Sequence, residues 1–245
     1  MAAVFFRLIR GVFVLRPSRF VALVAVLVSG LYGAGTFADD GGAVGAAKAG
    51  KGTLVVLGDS ISAAYGIDEQ AGWVQLLRNR LAEQGLDVEV VNASVSGETS
   101  SGGLARLPRL LSEHSPKWLV VELGGNDGLR GYPPRALQGN LQRMIQLAQE
   151  QGVEVLLLGM QMPPNYGKAY TRAFAAVYPT VAEAEQVPLV RFFLEPVALV
   201  EGAMQQDGIH PTAKAQPALL EHVWPCLESI LKGNEDIQSN SLCTS

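Results

Sequence analysis

Three residues of the sequence have side chains that together can perform nucleophilic catalysis. Ser60 lies in Gly58-Asp59-Ser60-Ile61-Ser62, and His210 lies in Asp207-Gly208-Ile209-His210-Pro211. A serine hydroxyl needs a base within hydrogen-bond reach, and the pKa of histidine suits that role at neutral pH. An acid that accepts a hydrogen bond from the imidazole fixes its tautomer. We therefore predict Ser60 as the nucleophile, His210 as the base and Asp207 as the group that orients His210.

Acyl chemistry also needs hydrogen-bond donors for the oxyanion of the tetrahedral intermediate. Gly97 ends the segment Asn92-Ala93-Ser94-Val95-Ser96-Gly97, and Asn126 lies in Gly124-Gly125-Asn126-Asp127. The predicted oxyanion hole consists of the backbone N–H groups of Ser60 and Gly97 and the side-chain amide of Asn126.

Each motif has a simpler interpretation when it is taken alone. The tripeptide Gly58-Asp59-Ser60 is typical of an ordinary turn between a strand and a helix. The segment from Asp207 to Pro211 is equally typical of a turn before a helix that starts with proline. The joint occurrence of these motifs, in order, after successive apolar runs favours the catalytic interpretation.

We predict no catalytic role for the other histidines or for the acidic residues next to these motifs. His114 and His222 are assigned to the surface or to packing. Glu98 and Asp127 are expected to be solvated loop carboxylates, with the alternative that Asp127 holds the Asn126 loop in shape.

Five apolar runs must position these loops. A repeat of about 30 residues is the length of a βαβ unit, and strands that are apolar throughout are covered on both faces. The sequence therefore predicts an α/β fold, a doubly wound and mostly parallel five-stranded sheet with helices on both faces. In such sheets ligands bind at the carboxyl ends of the strands. The runs are 54–57, 88–91, 118–123, 155–158 and 189–193.

Helical patterns lie between these runs. Leu137, Leu141, Met144, Ile145 and Ala148 repeat with the period of one helix face. A second pattern, in residues 73–81, is closed by Gly85 as a C-cap. Pro108 interrupts the segment from Leu104 to Leu111, which we predict to form two short helical pieces.

The four polar motifs resemble those of the SGNH subgroup of GDSL hydrolases, whose blocks centre on Ser, Gly, Asn and His. The matching residues are Ser60, Gly97, Asn126 and His210, and the resemblance runs from Thr53 to Ile230. The resemblance implies a flavodoxin-like three-layer sandwich, and it implies for Ser60, His210, Asp207, Gly97 and Asn126 the roles predicted above. The segments 97–99, 103–108, 128–131 and 162–167 resemble the bacterial periplasmic arylesterase, acyl-CoA thioesterase and lysophospholipase subgroup.

The loop after the fourth apolar run, residues 160–167, is unusually apolar for a loop. Methionine side chains adapt to irregular apolar shapes. We expect Met162, Pro163 and Tyr166 to wall a groove for short- to medium-chain acyl groups. The alternative is that this loop only caps the sheet and packs on the following helix.

The chain divides into four predicted segments. Residues 1–38 carry arginines followed by an apolar run, which is typical of a signal peptide cleaved near Ala38, and they predict a periplasmic or secreted protein. The alternative is an uncleaved membrane anchor. Residues 39–52 are a small-residue linker, 53–232 the hydrolase domain and 233–245 a polar tail. Whether Cys226 and Cys243 form a disulfide stays open at this point.

The charge distribution excludes some partners. The chain has 19 basic and 23 acidic residues, and residues 1–38 hold four of the arginines and no acid. The remaining 15 basic and 23 acidic residues give the rest of the chain a net charge of −8, which repels nucleic acid. Cysteine and histidine spacing indicates no metal site, and we expect no cofactor. We expect a monomer that binds a small acyl ester or thioester and is able to make transient contact with membrane lipid.

Two other functions remain open on the sequence. A carbohydrate O-deacetylase uses the same catalytic groups on a smaller acyl group. A flavodoxin-like binding module without catalytic activity would hold a phosphate in the loop after its first strand. The second function gives no reason for Asp207 and His210 to occur together.

Overall fold

The computed structural model describes residues 51–233, and the predicted signal peptide, almost all of the predicted linker and nearly all of the tail lie outside them. The sheet has five parallel strands in the order β2-β1-β3-β4-β5, which is the flavodoxin-like order. This arrangement confirms the predicted fold class. The strands are β1 (Gly52–Gly58), β2 (Val88–Asn92), β3 (Trp118–Glu122), β4 (Glu154–Leu158) and β5 (Leu189–Val190).

Helices cover both faces of this sheet. One face carries α1 (Trp73–Glu83) and α6 (Gln216–Leu231), which pack on each other. The other face carries α2 (Ser100–His114), α4 (Pro134–Gln149) and α5 (Lys168–Glu185), and α4 packs between its two neighbours. A short helix, α3 (Gly125–Leu129), directly follows β3. None of the helices between residues 51 and 233 is both long and apolar enough to cross a lipid bilayer.

The core lies between the sheet and its two helix layers. All five strand residues of β3 are buried, as expected for a central strand that is covered on both sides. The five apolar positions predicted for one face of α4 are all buried, which confirms that face. Buried polar contacts fix α6: the Trp118 indole N–H donates to Ile230 O at 3.2 Å, and Trp73 N–H donates to Gln216 Oε1 at 3.0 Å.

One predicted interruption does not occur, because α2 continues through Pro108 as a single helix. Proline has no N–H for the carbonyl four residues earlier, and its ring crowds that carbonyl. Pro108 lies on the exposed side of α2, whereas Leu107 and Leu111 are fully buried against the core. The buried face of the helix therefore outweighs the local penalty at Pro108.

The fifth apolar run forms a shorter strand than its length predicts. β5 ends at Val190, and the Phe193 N–H then donates to Gly159 O at 2.8 Å. A side chain at Gly159 would overlap the backbone of Arg191, so the two segments cross closely here. Phe193 is fully buried beyond the end of the strand, so the apolar run continues into the core without strand pairing.

Only one of the two cysteines lies within the described residues. Cys226 is buried in α6, and Cys243 lies outside residues 51–233. Cys226 is not a free thiol, and the question of its pairing with Cys243 falls outside the described residues.

Replacement of Pro108 by alanine should stabilise the protein. An interior helical proline is about 3 kcal/mol less favourable than alanine, while the loss of proline's restraint on the unfolded chain returns up to about 1 kcal/mol. We expect Pro108→Ala to raise the free energy of unfolding by about 2 kcal/mol in urea denaturation.

The matched control is Pro134→Ala at the first residue of α4. A residue at this position has no helical partner for its N–H, so the substitution should give no gain. A neutral or destabilising result for Pro108→Ala would contradict the penalty assigned to Pro108.

Candidate active site

Ser60, His210 and Asp207 form a continuous chain of hydrogen bonds at the carboxyl edge of the sheet. His210 Nε2 lies 2.8 Å from Ser60 Oγ, and His210 Nδ1 lies 2.6 Å from Asp207 Oδ2. Ser60 and His210 are 150 positions apart in the sequence. They meet because Ser60 follows β1 and His210 lies in the segment between β5 and α6, and both strands end at the same edge.

Asp207 is held as a carboxylate by the turn that contains it. Its Oδ1 accepts the backbone N–H groups of Ile209 at 2.9 Å and His210 at 3.0 Å. Partial desolvation favours the neutral acid, but the hydrogen bonds from the His210 side chain and these backbone groups outweigh it and lower the pKa of Asp207 to about 2. A permanently ionised Asp207 favours the His210 tautomer with hydrogen on Nδ1, which leaves Nε2 to accept a proton from Ser60.

A tight turn presents Ser60 at the end of β1. The Tyr65 N–H donates to Ser60 O at 3.0 Å, and the Ile61 N–H donates to the Asp59 side chain at 3.0 Å. Gly58 permits this turn, since a Cβ there would lie only 2.8 Å from both Glu122 Oε2 and Ser94 Oγ. The glycine of the Gly58-Asp59-Ser60 motif is therefore required by the groups packed beneath Ser60.

Two buried carboxyl groups under this turn were not assigned from the sequence. Glu122 Oε2 accepts the Asp59 N–H at 3.3 Å and the Ser62 hydroxyl at 2.8 Å. Burial and the neighbouring Asp59 raise the pKa of Glu122 well above its ordinary value. Burial likewise raises the pKa of Asp59 to about 6. The signal for Glu122 was its position as the one charged residue within the apolar run 118–123.

The three predicted oxyanion donors lie around the same cavity as the Ser60 hydroxyl. Asn126 Nδ2 donates to Asp59 Oδ2 at 3.1 Å, and the amide has a second N–H for a ligand. Within residues 51–233, the backbone N–H groups of Ser60 and Gly97 donate to no protein acceptor. Each of the three residues therefore lines the cavity and has an N–H group that no protein acceptor among residues 51–233 occupies.

The loop that carries Gly97 is anchored by two arginines. Gly97 has φ of 79°, in the left-handed region that favours glycine, and its carbonyl accepts Arg130 Nη2 at 3.0 Å. Arg106 donates to Glu98 Oε2 at 2.7 Å and to Ala93 O at 2.9 Å. The prediction that Glu98 is a solvated loop carboxylate is therefore wrong, because the ion pair with Arg106 holds its side chain largely out of solvent.

Asp127 is also not a solvated carboxylate. It is 3% exposed and accepts the Ser100 N–H at 2.8 Å and the Ser100 hydroxyl at 2.5 Å. These bonds tie the start of α2 to α3, which contains Asn126. The alternative interpretation, in which Asp127 holds the Asn126 loop in shape, agrees with this arrangement. His222, for its part, packs against the Phe192 carbonyl at 3.1 Å.

The cavity beside Ser60 has a volume of about 580 Å³ and mostly apolar walls. Met162 and Pro163 line it, as the loop composition predicted for a groove. Tyr166 does not line it; its hydroxyl donates to Leu129 O at 3.3 Å, and Leu129 is a lining residue. A second apolar wall was not anticipated from the sequence, and it consists of Phe192, Leu194, Ala198, Leu199, Met204 and Ile209.

Tyr65 also contacts His210 and was not assigned from the sequence. Its ring centroid lies 4.6 Å from that of His210, with the two planes tilted by 40°. Tyr65 covers part of the imidazole and lines the cavity. Among residues 51–233, no group of three histidine, cysteine or acidic side chains is arranged to hold a metal ion.

The fold and the site define a class of protein. Residues 56–217 match the GDSL-like lipase/acylhydrolase family, and the chain belongs to that family. It is an acyl hydrolase built on the flavodoxin-like sandwich of the SGNH hydrolases.

Individual members of the family are similar over most of the chain. Esterase TesA of Pseudomonas aeruginosa is 60% identical over 179 residues, which are 73% of this chain and 89% of that protein. Thioesterase 1/protease 1/lysophospholipase L1 of Escherichia coli (strain K12) is 47% identical over 169 residues, 69% of this chain and 80% of that protein. The crystal structure of TesA superposes with a TM-score of 0.71 at 60% identity, over 73% of this chain and 99% of that chain.

The buried Asp59 should make the folded protein more stable at acidic pH. A carboxyl group whose pKa is raised to about 6 on folding binds its proton more tightly in the folded state, so the free energy of unfolding rises as the pH falls through about 6. The expected contribution of this group between about pH 8 and about pH 5 is about 1 kcal/mol. Asp59→Asn should remove that part of the pH dependence in urea unfolding.

Glu183→Gln is the control, since Glu183 is an exposed carboxylate on α5. It should leave the pH dependence as in the wild type. An unchanged pH dependence in Asp59→Asn would show that the folded state does not disfavour a charge at this position.

Proposed function

We propose that the chain hydrolyses short- to medium-chain acyl esters and thioesters through a covalent intermediate on Ser60. The observation that carries the proposal is the hydrogen-bond chain from Ser60 Oγ through His210 to Asp207, with lengths of 2.8 and 2.6 Å. Support for the substrate class comes from the relatives, one named an esterase and one a thioesterase and lysophospholipase.

The first half-reaction forms the acyl-enzyme. Ser60 Oγ attacks the acyl carbon while His210 Nε2 takes the hydroxyl proton. The carbonyl oxygen becomes an oxyanion that accepts hydrogen bonds from the N–H groups of Ser60 and Gly97 and from the Asn126 amide. When the intermediate collapses, the bond to the alcohol or thiol breaks and His210 returns the proton to that leaving group. The acyl group is then joined to Ser60 as an ester.

The second half-reaction transfers the acyl group to water. His210 Nε2 takes a proton from a water molecule, which attacks the acyl carbon and forms a second oxyanion in the same hole. Collapse of this intermediate breaks the bond to Ser60 Oγ, which recovers the proton from His210. The product is a carboxylic acid, and the enzyme returns to its starting protonation state. Asp207 stabilises the imidazolium in both halves.

The cavity supports an apolar acyl group. Met162 and Pro163 would contact the chain directly, and Tyr166 would act through Leu129, whose carbonyl it binds. Met162 packs so tightly on Gly128 that any side chain there would overlap its sulfur. Burial of each methylene contributes up to about 0.8 kcal/mol, so the rate should rise with chain length until the cavity is full.

We also propose that the chain is exported and cleaved near Ala38, and that it acts as a monomer in the periplasm or outside the cell. The support for export is the order of arginines, apolar run and small residues in 1–38, all outside the described residues. The N-terminal residue of the exported chain would reveal the cleavage site.

A fluorophosphonate should label Ser60 and no other residue. Ser60→Ala should abolish labelling and lower kcat for p-nitrophenyl butyrate by about 10³-fold or more, because it removes the nucleophile. Ser96→Ala is the matched control, since Ser96 lines the same cavity and should leave Ser60 labelled. Retention of more than about a tenth of the wild-type activity by Ser60→Ala would exclude the covalent mechanism.

The dependence of kcat/KM on acyl chain length tests whether Met162 and its neighbours form a groove for the acyl group. We expect kcat/KM to rise from p-nitrophenyl acetate through butyrate and hexanoate to octanoate, and Met162→Ser to flatten this rise because it replaces apolar surface with a hydroxyl. Met162→Leu, which conserves an apolar side chain, should retain the rise, and Tyr166→Ser should weaken it less than Met162→Ser. A profile that falls steadily from acetate would instead favour the O-deacetylase.

A further inference from the structure

The exposed large hydrophobic side chains of the described residues all lie at one rim of the molecule. Each belongs to a loop that follows the carboxyl end of a strand: one after β1, one after β2, one after β3 and three between β5 and α6. This is the rim that carries Ser60. The six residues are Tyr65, Val95, Tyr132, Leu199, Val200 and Ile209, and we call them the apolar rim.

The opposite rim of the sheet is different. Its loops precede the strands and span residues 84–87, 115–117, 150–153 and 186–188. The apolar side chains in these loops are at least partly buried, and the exposed positions are glycine, polar or charged. Within residues 51–233, large apolar side chains are therefore exposed at the rim that carries Ser60 and not at the opposite rim. A cluster of this kind on a soluble domain marks an interaction surface.

The apolar rim is continuous with the cavity. Leu199 is 99% exposed and Val200 is 56% exposed, so both project from the loop into solvent. Leu199, Ile209 and Tyr65 also line the cavity that holds the Ser60 hydroxyl. An amphiphile whose acyl chain enters the cavity would thus pass directly over this surface.

The segment that carries Leu199 and Val200 projects into solvent, and its charge indicates which kind of lipid surface it can approach. Residues 191–210 contain three carboxylates, Glu195, Glu201 and Asp207, against one exposed arginine, Arg191, which gives the segment a net charge of −2. Anionic lipids attract basic segments and would repel this one. Two exposed arginines, Arg130 and Arg135, lie close in sequence to Tyr132, and Arg130 donates to the Gly97 carbonyl. The projecting segment therefore fits a surface of zwitterionic headgroups.

We propose that the apolar rim docks on the surface of a zwitterionic phospholipid bilayer, with Leu199 and Val200 inserted among the acyl chains. Docking would turn the mouth of the cavity toward the lipid, so that an acyl chain reaches Ser60 without crossing water. This inference rests on the proposed function only in that the acyl lipid is taken to be a substrate.

A tryptophan placed at the rim tests docking directly. Val200→Trp in the Ser60→Ala full-length chain should show a blue shift of its emission on addition of dioleoylphosphatidylcholine vesicles, and brominated acyl chains should quench it. The matched control is Gln151→Trp on the same background, at the opposite rim, which should show neither effect. The native tryptophans are present in both variants and cancel in the comparison.

Four outcomes would overturn the proposal. If the emission of Val200→Trp does not shift on addition of the vesicles, the apolar rim does not insert into the bilayer. If both variants show equal shifts, the protein does not bind the bilayer specifically through this rim. A shift with phosphatidylglycerol vesicles but not with phosphatidylcholine excludes the zwitterionic partner. A blue shift that depends on protein concentration without lipid indicates a second copy of the chain on this surface.

A kinetic measurement separates docking from the proposed function. Val200 does not line the cavity, so Val200→Ser should retain the rate on soluble p-nitrophenyl acetate and lose rate, by severalfold, on acyl chains presented in phosphatidylcholine vesicles. Hydrolysis of the soluble ester without vesicle binding would reject docking alone. Vesicle binding by a wild-type chain that hydrolyses no ester would reject the proposed function alone.

Discussion

The parallel direction of all five strands is the constraint on which the site depends. Each strand ends at the same edge, so loops that are far apart in the sequence meet without any long insertion. Ser60 follows β1, Gly97 follows β2, Asn126 follows β3 and His210 lies between β5 and α6. The 2.8 Å contact between His210 and Ser60 is thus a consequence of topology and is completed by local turns.

The local turns are supported from below by buried polar groups. Glu122 ends β3 and binds the Asp59 N–H, while the Trp73 indole donates to the Ser62 hydroxyl that Glu122 also accepts. These contacts join the nucleophile turn to β3 and α1. Unpaired buried groups are costly, so a turn held in this way cannot shift without breaking several bonds at once. The position of Ser60 and the packing of the core are therefore set by the same interactions.

The sequence was sufficient for the features that depend on pattern. Apolar runs at a spacing of about 30 residues predicted the parallel sheet, because strands that are buried on both faces need apolar residues throughout. The proximity of Ser60 and His210 was predicted because the loops that carry them follow strands that end at one edge of the sheet. The first wall of the cavity was recognisable because Met162 lies in a loop that would ordinarily be polar.

Features that depend on tertiary contacts escaped prediction. Pro108 predicted a break in α2, but the burial of Leu107 and Leu111 is not visible in local propensity. Glu98 and Asp127 looked like solvated loop residues because their partners, Arg106 and Ser100, are identified only by the fold. The second wall of the cavity, in 192–209, lies in a segment without a periodic pattern, so no rule placed it near Ser60.

Asp59 and Asp207 lie at the same rim of the sheet, but their pKa values are shifted in opposite directions. Asp207 is partly exposed and accepts two backbone N–H groups and an imidazole, which lower its pKa to about 2. Asp59 is buried, and its pKa is raised to about 6 although it accepts from Ile61 and Asn126. The low dielectric that makes this charge unfavourable also strengthens its hydrogen bond to the Asn126 amide. Burial therefore makes the ionised Asp59 less stable, whereas the contact with Asn126 offsets part of that effect and fixes the direction of the Asn126 amide.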